Sequence, residues 1–226
     1  MRYYELTEKT KVNDRGVTLH RIKCIEVIEG LGVKVGDLGG WIENYNNLSG
    51  NAWVYNNAEV YDDAEVCDNA RVLENARISG KALVYGDAEV SGNAQVCGKA
   101  RVYGNAQVYG DALVYEKARV SGKALVYGGA WVYGDAWVCG DARVCGNAWL
   151  CDNARVYGDA RVCGKAQVYG DAWVCDNACV YGDAEVYDNA RVYDDAEVYD
   201  NARLYDNVRV YGDTVINKGG VTNEHI

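Results

Sequence analysis

From residue 52 to residue 219 the apolar positions come in pairs two residues apart, and the pair recurs every six residues without insertion or deletion. The unit reads Ala-x-Val-Tyr-Gly-Asp, with Cys or Ser often replacing Tyr and Asp or Asn often replacing Gly. Residues 52–219 divide into 28 such units of six, and two looser units, 40–45 and 46–51, precede them. Only Val208 and Thr214 break the Ala position. Apolar residues two apart mark a strand, because side chains alternate faces along it. Ala and Val therefore point inward, and the residue between them and the one after Val point outward. The two polar positions that follow are drawn from residues that accept a sharp turn, so each unit is a short strand and a corner.

A chain that turns a corner every six residues closes on itself, and repeats this short build a solenoid in which each coil touches only its neighbours. An interior filled by Val and Ala suits a triangular coil of three units. Parallel strands stack ~4.8 Å apart, so ten coils over residues 40–219 make a prism on the order of 48 Å long. The chain has no Pro, which would remove a ladder donor, and no Phe, which would overfill so narrow an interior. The expected class is all-β, a single-stranded parallel β-helix in which three hexapeptides complete each coil.

The unit resembles the hexapeptide-repeat pattern of left-handed β-helix proteins, and the left-handed sense is what that resemblance implies. The opening Tyr3-Tyr4-Glu5-Leu6-Thr7-Glu8-Lys9-Thr10 and the stretch Lys34 to Glu43, followed by Asn47-Leu48-Ser49, resemble a group of bacterial and phage-borne hexapeptide proteins. These are often labelled acyltransferases or left without a function. The resemblance implies an acyl-transfer enzyme with a coil-borne His as general base at a trimer interface, and a loop thrown out of the prism around the substrate.

Outside the repeat, residues 1–39 are expected to form a cap and linker: Tyr3 to Val12, the turn Asn13-Asp14-Arg15-Gly16, and Val17 to Ile28 read as a β-hairpin over the first coil. Thr214 to Ile226 departs from the Ala rule and is expected to close the far end, with residues 220–226 as a terminal cap or tail. An uncovered coil end is an open strand edge, which invites stacking between molecules.

No apolar run approaches the ~18 residues of a membrane span, and the N-terminus lacks the apolar stretch of a signal peptide, so a cytoplasmic protein without membrane contact is expected. Nine Cys is an odd number with no CxxC pair, which fits free thiols in a surface column. Cys145 and Cys163 stand one coil apart, but parallel in-register side chains are poorly oriented for a disulfide. No convergent His or Cys spacing calls for a metal, corner carboxylates spread along ridges do not form a calcium cage, and no cofactor is expected.

Three units per coil place the outward residue between Ala and Val in one column on each of three faces. The first (Trp53, Arg71, Glu89, Gln107, Leu125 and onward to Val215) is mixed. The second runs Glu59, Arg77, Gln95, Leu113, Trp131, Trp149, Gln167, Glu185, Arg203. Its apolar centre inside a polar rim has the anatomy of a contact patch, widened by Tyr115 and Tyr133, or of a ladder that only stabilises stacked strands. The third runs Glu65, Leu83, Arg101, Arg119, Trp137, Arg155, Trp173, Arg191, Arg209. Arg for charge and Trp for stacking suit a small anionic ligand, whereas pairing of these Arg with corner Asp is the structural alternative. A formal net charge of −10 argues against a nucleic-acid binder.

General-base chemistry needs a group titrating near neutrality. The two His, His20 and His225, both lie outside the repeat, and no looped-out insertion exists. The reading is a non-catalytic binding or structural solenoid acting through its Trp, Tyr and charged faces, with a protein partner or a second copy. Sequestration of a host factor fits a phage-borne gene. Acyl transfer and an acidic, duplex-mimicking inhibitor are the alternatives.

Overall fold

Each hexapeptide becomes a two-residue strand and a corner. The computed structural model describes residues 2–218 and 220–221. Its short strands, from Trp53–Val54 to Val215–Ile216, assemble into three parallel sheets, one per face. Strand partners stand exactly three units apart along the repeat, as in Leu113↔Trp131 and Trp131↔Trp149. The first face carries ten strands, which fixes ten coils. The chain is therefore an all-β parallel solenoid, as its spacing predicts.

The hydrogen bonds explain why six residues suffice. Trp131 donates its N–H to the carbonyl of Ala148 (2.9 Å) and Tyr133 donates to Leu150 (2.9 Å), so both ends of each strand are tied to the next coil. At the corner, Asp135 N–H donates to Asp152 carbonyl (2.7 Å), while Ala136 N–H folds back to Tyr133 carbonyl (3.3 Å). The fifth residue of the unit takes a left-handed backbone, as at Gly134 (φ 69°), where Gly has no Cβ to clash. Asp and even Glu occupy the same conformation, as at Asp152 (φ 57°) and Glu116 (φ 59°). Their carboxylates recover part of the ~1–2 kcal/mol such a backbone costs, because each accepts an N–H from the coil above. Glu116 takes Gly134 (3.0 Å) and Asp152 takes Gly170 (3.2 Å).

Inside, Ala and Val are shielded from solvent along the whole rod and form one continuous core. Larger residues fill the Val position at Ile78, Leu150 and Leu204, each completely buried, and at Ile216 on the last coil.

Strands β1 (Tyr4–Val12) and β2 (Thr18–Cys24) make the N-terminal hairpin, and β2 pairs antiparallel with β3 (Leu38–Ile42). β3 then pairs in parallel with Glu59–Val60, so the cap extends the sheet of the second face. The N-terminal region buries positions that the repeat alone would leave outside: Tyr61, clustered with Leu19 of β2, is 2% exposed, and Trp53 on the first face, in the cluster that also holds Ile28 and Val33, is 1% exposed. Glu59 is buried too, held by Lys11 at 2.7 Å. The hairpin tip leans along the second face, where Asp14 receives Arg77 at 2.6 Å and Arg15 lies over the Tyr61 ring. At the other end Gly220–Val221 pairs with Arg203–Leu204; the remainder of the expected terminal cap, with His225, lies outside the described residues. Among the described residues no helix is long and apolar enough to cross a membrane.

Leu150→Ala removes a side chain that neighbouring coils cannot collapse to replace. The expected cost is about 2–5 kcal/mol, read as a lower urea midpoint with the circular-dichroism spectrum of the native fold retained.

Candidate functional site

With the interior closed, function rests on the outer columns. On the second face the constant offset brings Leu113, Trp131 and Trp149 into one line. The two indoles stack with centroids 5.5 Å apart at 12°. Beside them the Tyr115 and Tyr133 rings stack at 4.9 Å. Each aromatic pair contributes about 0.5–1.5 kcal/mol beyond its area. Stacking nevertheless leaves Trp131 40% and Trp149 43% exposed, so the ladder and the open patch coexist. Past Trp149 a groove of about 430 Å³ runs along Gln167, Glu185 and Arg203, with Lys165 and Asp183 on its flank. Arg203 donates to Glu185 at 3.2 Å, which completes a polar rim.

The third face resolves differently from the expected Arg–Asp pairing. Among the described residues, Arg101, Arg119, Arg155, Arg191 and Arg209 form no ion pair with any corner carboxylate. Corner Asp residues pair with corner Lys instead, as in Lys117–Asp135 (3.5 Å) and Lys165–Asp183 (4.0 Å). The reason is local: an in-register neighbour one coil away is nearer to a column Arg than a carboxylate beyond the strand end. Trp173 is that neighbour for two of them, with Arg191 4.5 Å and Arg155 5.3 Å from its ring. Each such contact is worth about 0.5–1 kcal/mol at an exposed site. Tyr157 meets Trp173 edge-on at 73°. Trp137 turns away and donates its indole N–H to Ser121 Oγ (3.1 Å). A groove of about 250 Å³ gathers Trp173, Arg191, Arg209 and Tyr157. Arg101 and Arg119 sit in register with each other outside that groove, so Arg101, Arg119, Trp137, Arg155, Trp173 and Arg191, expected as one cationic and aromatic surface, do not make one site. Tyr157 lies outside the column and joins the groove only through the way its ring turns toward Trp173.

A larger cavity of about 560 Å³ lies where cap meets coil, between Arg2, Tyr4, Tyr45 and Asp62. Its groups serve the junction: Tyr4 donates to the carbonyl of Leu48 (2.9 Å), burial pushes its phenol up to about 12, and Arg2 covers the Tyr45 ring. His20 sits half-buried on β2, remote from the exposed patches. Among the described residues no group of three or more His, Cys, Asp or Glu could hold a metal ion.

All nine Cys are free. Burial pushes Cys163 and Cys175 up to about 11, with the neighbouring Cys145 adding to the first. Such thiols carry little thiolate at neutral pH and are poor nucleophiles. Tyr127 is raised to about 12 by its contact with Cys145 and by burial, and Tyr157 to about 12 by burial and Cys175.

A family model described as the YdcK beta solenoid repeat matches residues 94–107, 106–119, 118–134, 148–164 and 202–217. The chain is a β-solenoid repeat protein on this match and on its own geometry, and the matched segments include Leu113, Trp131 and Trp149. The description names no activity. No curated protein matches the chain.

The raised thiols and phenols set a pH dependence. In the unfolded chain a thiol ionises near 9.0 and a phenol near 10.0, earlier than in the folded state. Their contribution is therefore complete below pH 9 and is lost as pH climbs toward 11–12. Thermal melts at pH 7, 9 and 10.5 are expected to show little change over the first step and a clear fall over the second.

Proposed function

We propose that the protein is a non-catalytic recognition scaffold whose working surface is the aromatic patch of the second face, centred on Trp131 and Trp149. One observation carries the reading: two adjacent indoles stay about two-fifths exposed within a rim of amides and charges. Large exposed apolar patches with polar rims mark protein contacts, and Trp and Tyr are the residues that most often anchor them. The rod suits this role, because rung-to-rung bonding fixes the spacing of every anchor and little ordering entropy remains to be lost on binding. The absence of any His from residues 52–219 favours recognition over acyl transfer, since the family resemblance places the general base on a coil.

Lys117 and Lys165 stand on the corners either side of this face and provide handles for a test. An amine-reactive cross-linker applied in producing cells is expected to link them to a protein, and Trp131→Glu with Trp149→Glu is expected to abolish those links. Links that persist in the double variant, or turnover of acyl-CoA by the wild-type protein, would overturn the proposal.

A further inference from the structure

The second column reads the same in both directions once charge sign is exchanged. Counting outward from Trp131, Leu113 faces Trp149, Gln95 faces Gln167, Arg77 faces Glu185 and Glu59 faces Arg203. The neighbouring column is complementary in size about the same point. Cys97 and Ser79 on one side correspond to Tyr169 and Tyr187 on the other, and the latter two are stacked at 4.8 Å.

From these two columns we infer that the second face is the interface of a homodimer, formed by two rods packed antiparallel about a two-fold axis through Trp131. The inference rests on the reading of this face as the recognition surface and names its partner as a second copy of the chain. A two-fold interface requires one patch to complement itself. Antiparallel rods meeting at Trp131 place Arg77 on the partner's Glu185 level and join apolar centre to apolar centre. Moving the axis half a coil, between Trp131 and Trp149, sets Arg77 against Arg203 and Leu113 against Gln167. Parallel rods set Glu185 against Glu185 and Arg203 against Arg203. Among registers that join apolar centre to apolar centre, only this one pairs opposites, and like charges brought together across an interface are costly.

The cap fits the same register. Packed faces stand ~10 Å apart, a layer that the four indoles occupy at the centre. Around Ser79 the hairpin tip occupies that layer instead, with Asp14 on Arg77 and Arg15 over the Tyr61 ring. The tip presents Arg15 and the Asp14–Arg77 pair. The two-fold axis carries this level onto the partner's Glu185 and Tyr187, an acid and an aromatic ring that suit Arg15. Within one copy the Arg77 and Glu185 levels are six coils apart, on the order of 29 Å, so Arg15 and Glu185 do not meet there.

That separation makes the test specific. Sedimentation velocity of the wild type at low salt is expected to show a dimer. Arg15→Glu alone and Glu185→Arg alone each place two like-charge contacts in their own dimer, and each is expected to weaken it about tenfold or more. An equimolar mixture of the two variants is expected to dimerise as the wild type does, because the mixed pair restores both contacts. Native circular dichroism of each variant excludes misfolding as the cause. A wild type that stays monomeric at about 100-fold the concentration of a nanomolar-to-micromolar dimer overturns the homodimer. If the Trp131→Glu/Trp149→Glu variant then still loses its cross-links to another protein, the recognition surface stands without it. A Trp-dependent dimer that ignores both charge variants and their mixture overturns the antiparallel register alone.

Discussion

Everything in this molecule follows from hydrogen bonds thrown from each coil to the next at a constant offset of three hexapeptides. The bond from Trp131 to Ala148 and that from Asp135 to Asp152 are the same bonds repeated along the rod, and they allow no slack. Because the offset never changes, a residue type recurring at that spacing becomes a straight column. A one-residue slip would exchange inside for outside, as in any strand pairing. The core tolerates this rigidity because it asks only for Ala and Val, with Ile78, Leu150 and Leu204 as local enlargements. Packing, strand length and corner geometry thus reduce to one requirement, repeated unit after unit from Ala52 onward with Val208 and Thr214 as the exceptions at the Ala position.

The same constraint explains which parts of the structure were readable from the chain. Inside and outside, the three faces and the membership of every column come from arithmetic on the repeat, and the strand pairs reproduce that arithmetic, Leu113 to Trp131 to Trp149 to Gln167. The hairpin over residues 4–24 was legible from its alternation and its turn. Its lean along the second face was not, because nothing local in Asn13–Gly16 announces that Asp14 will find Arg77, far along the chain. For that reason Glu59 and Tyr61, outward by the rule, are buried.

Side-chain direction is the other thing that columns conceal. Trp137 and Trp173 occupy equivalent positions, yet one donates to Ser121 and the other lies between two guanidinium groups. The choice follows from the preceding coil, which offers a small hydroxyl to the first and a Tyr edge to the second. The third face therefore divides into separate environments, while the second keeps its aromatic residues together because Trp131 and Trp149 are successive. Cohesion of a surface site on a solenoid depends on adjacency along the rod as much as on shared column.

The corner geometry carries an evolutionary consequence. Loss or duplication of one whole coil would shorten or lengthen the rod and leave every downstream side chain on its original face. Loss or duplication of a single unit would keep Ala and Val inside just as well, yet rotate everything beyond it by a third of a turn. A surface built on one side could thus be broken, or a new one assembled from parts of two others, in a single genetic step that the core does not register.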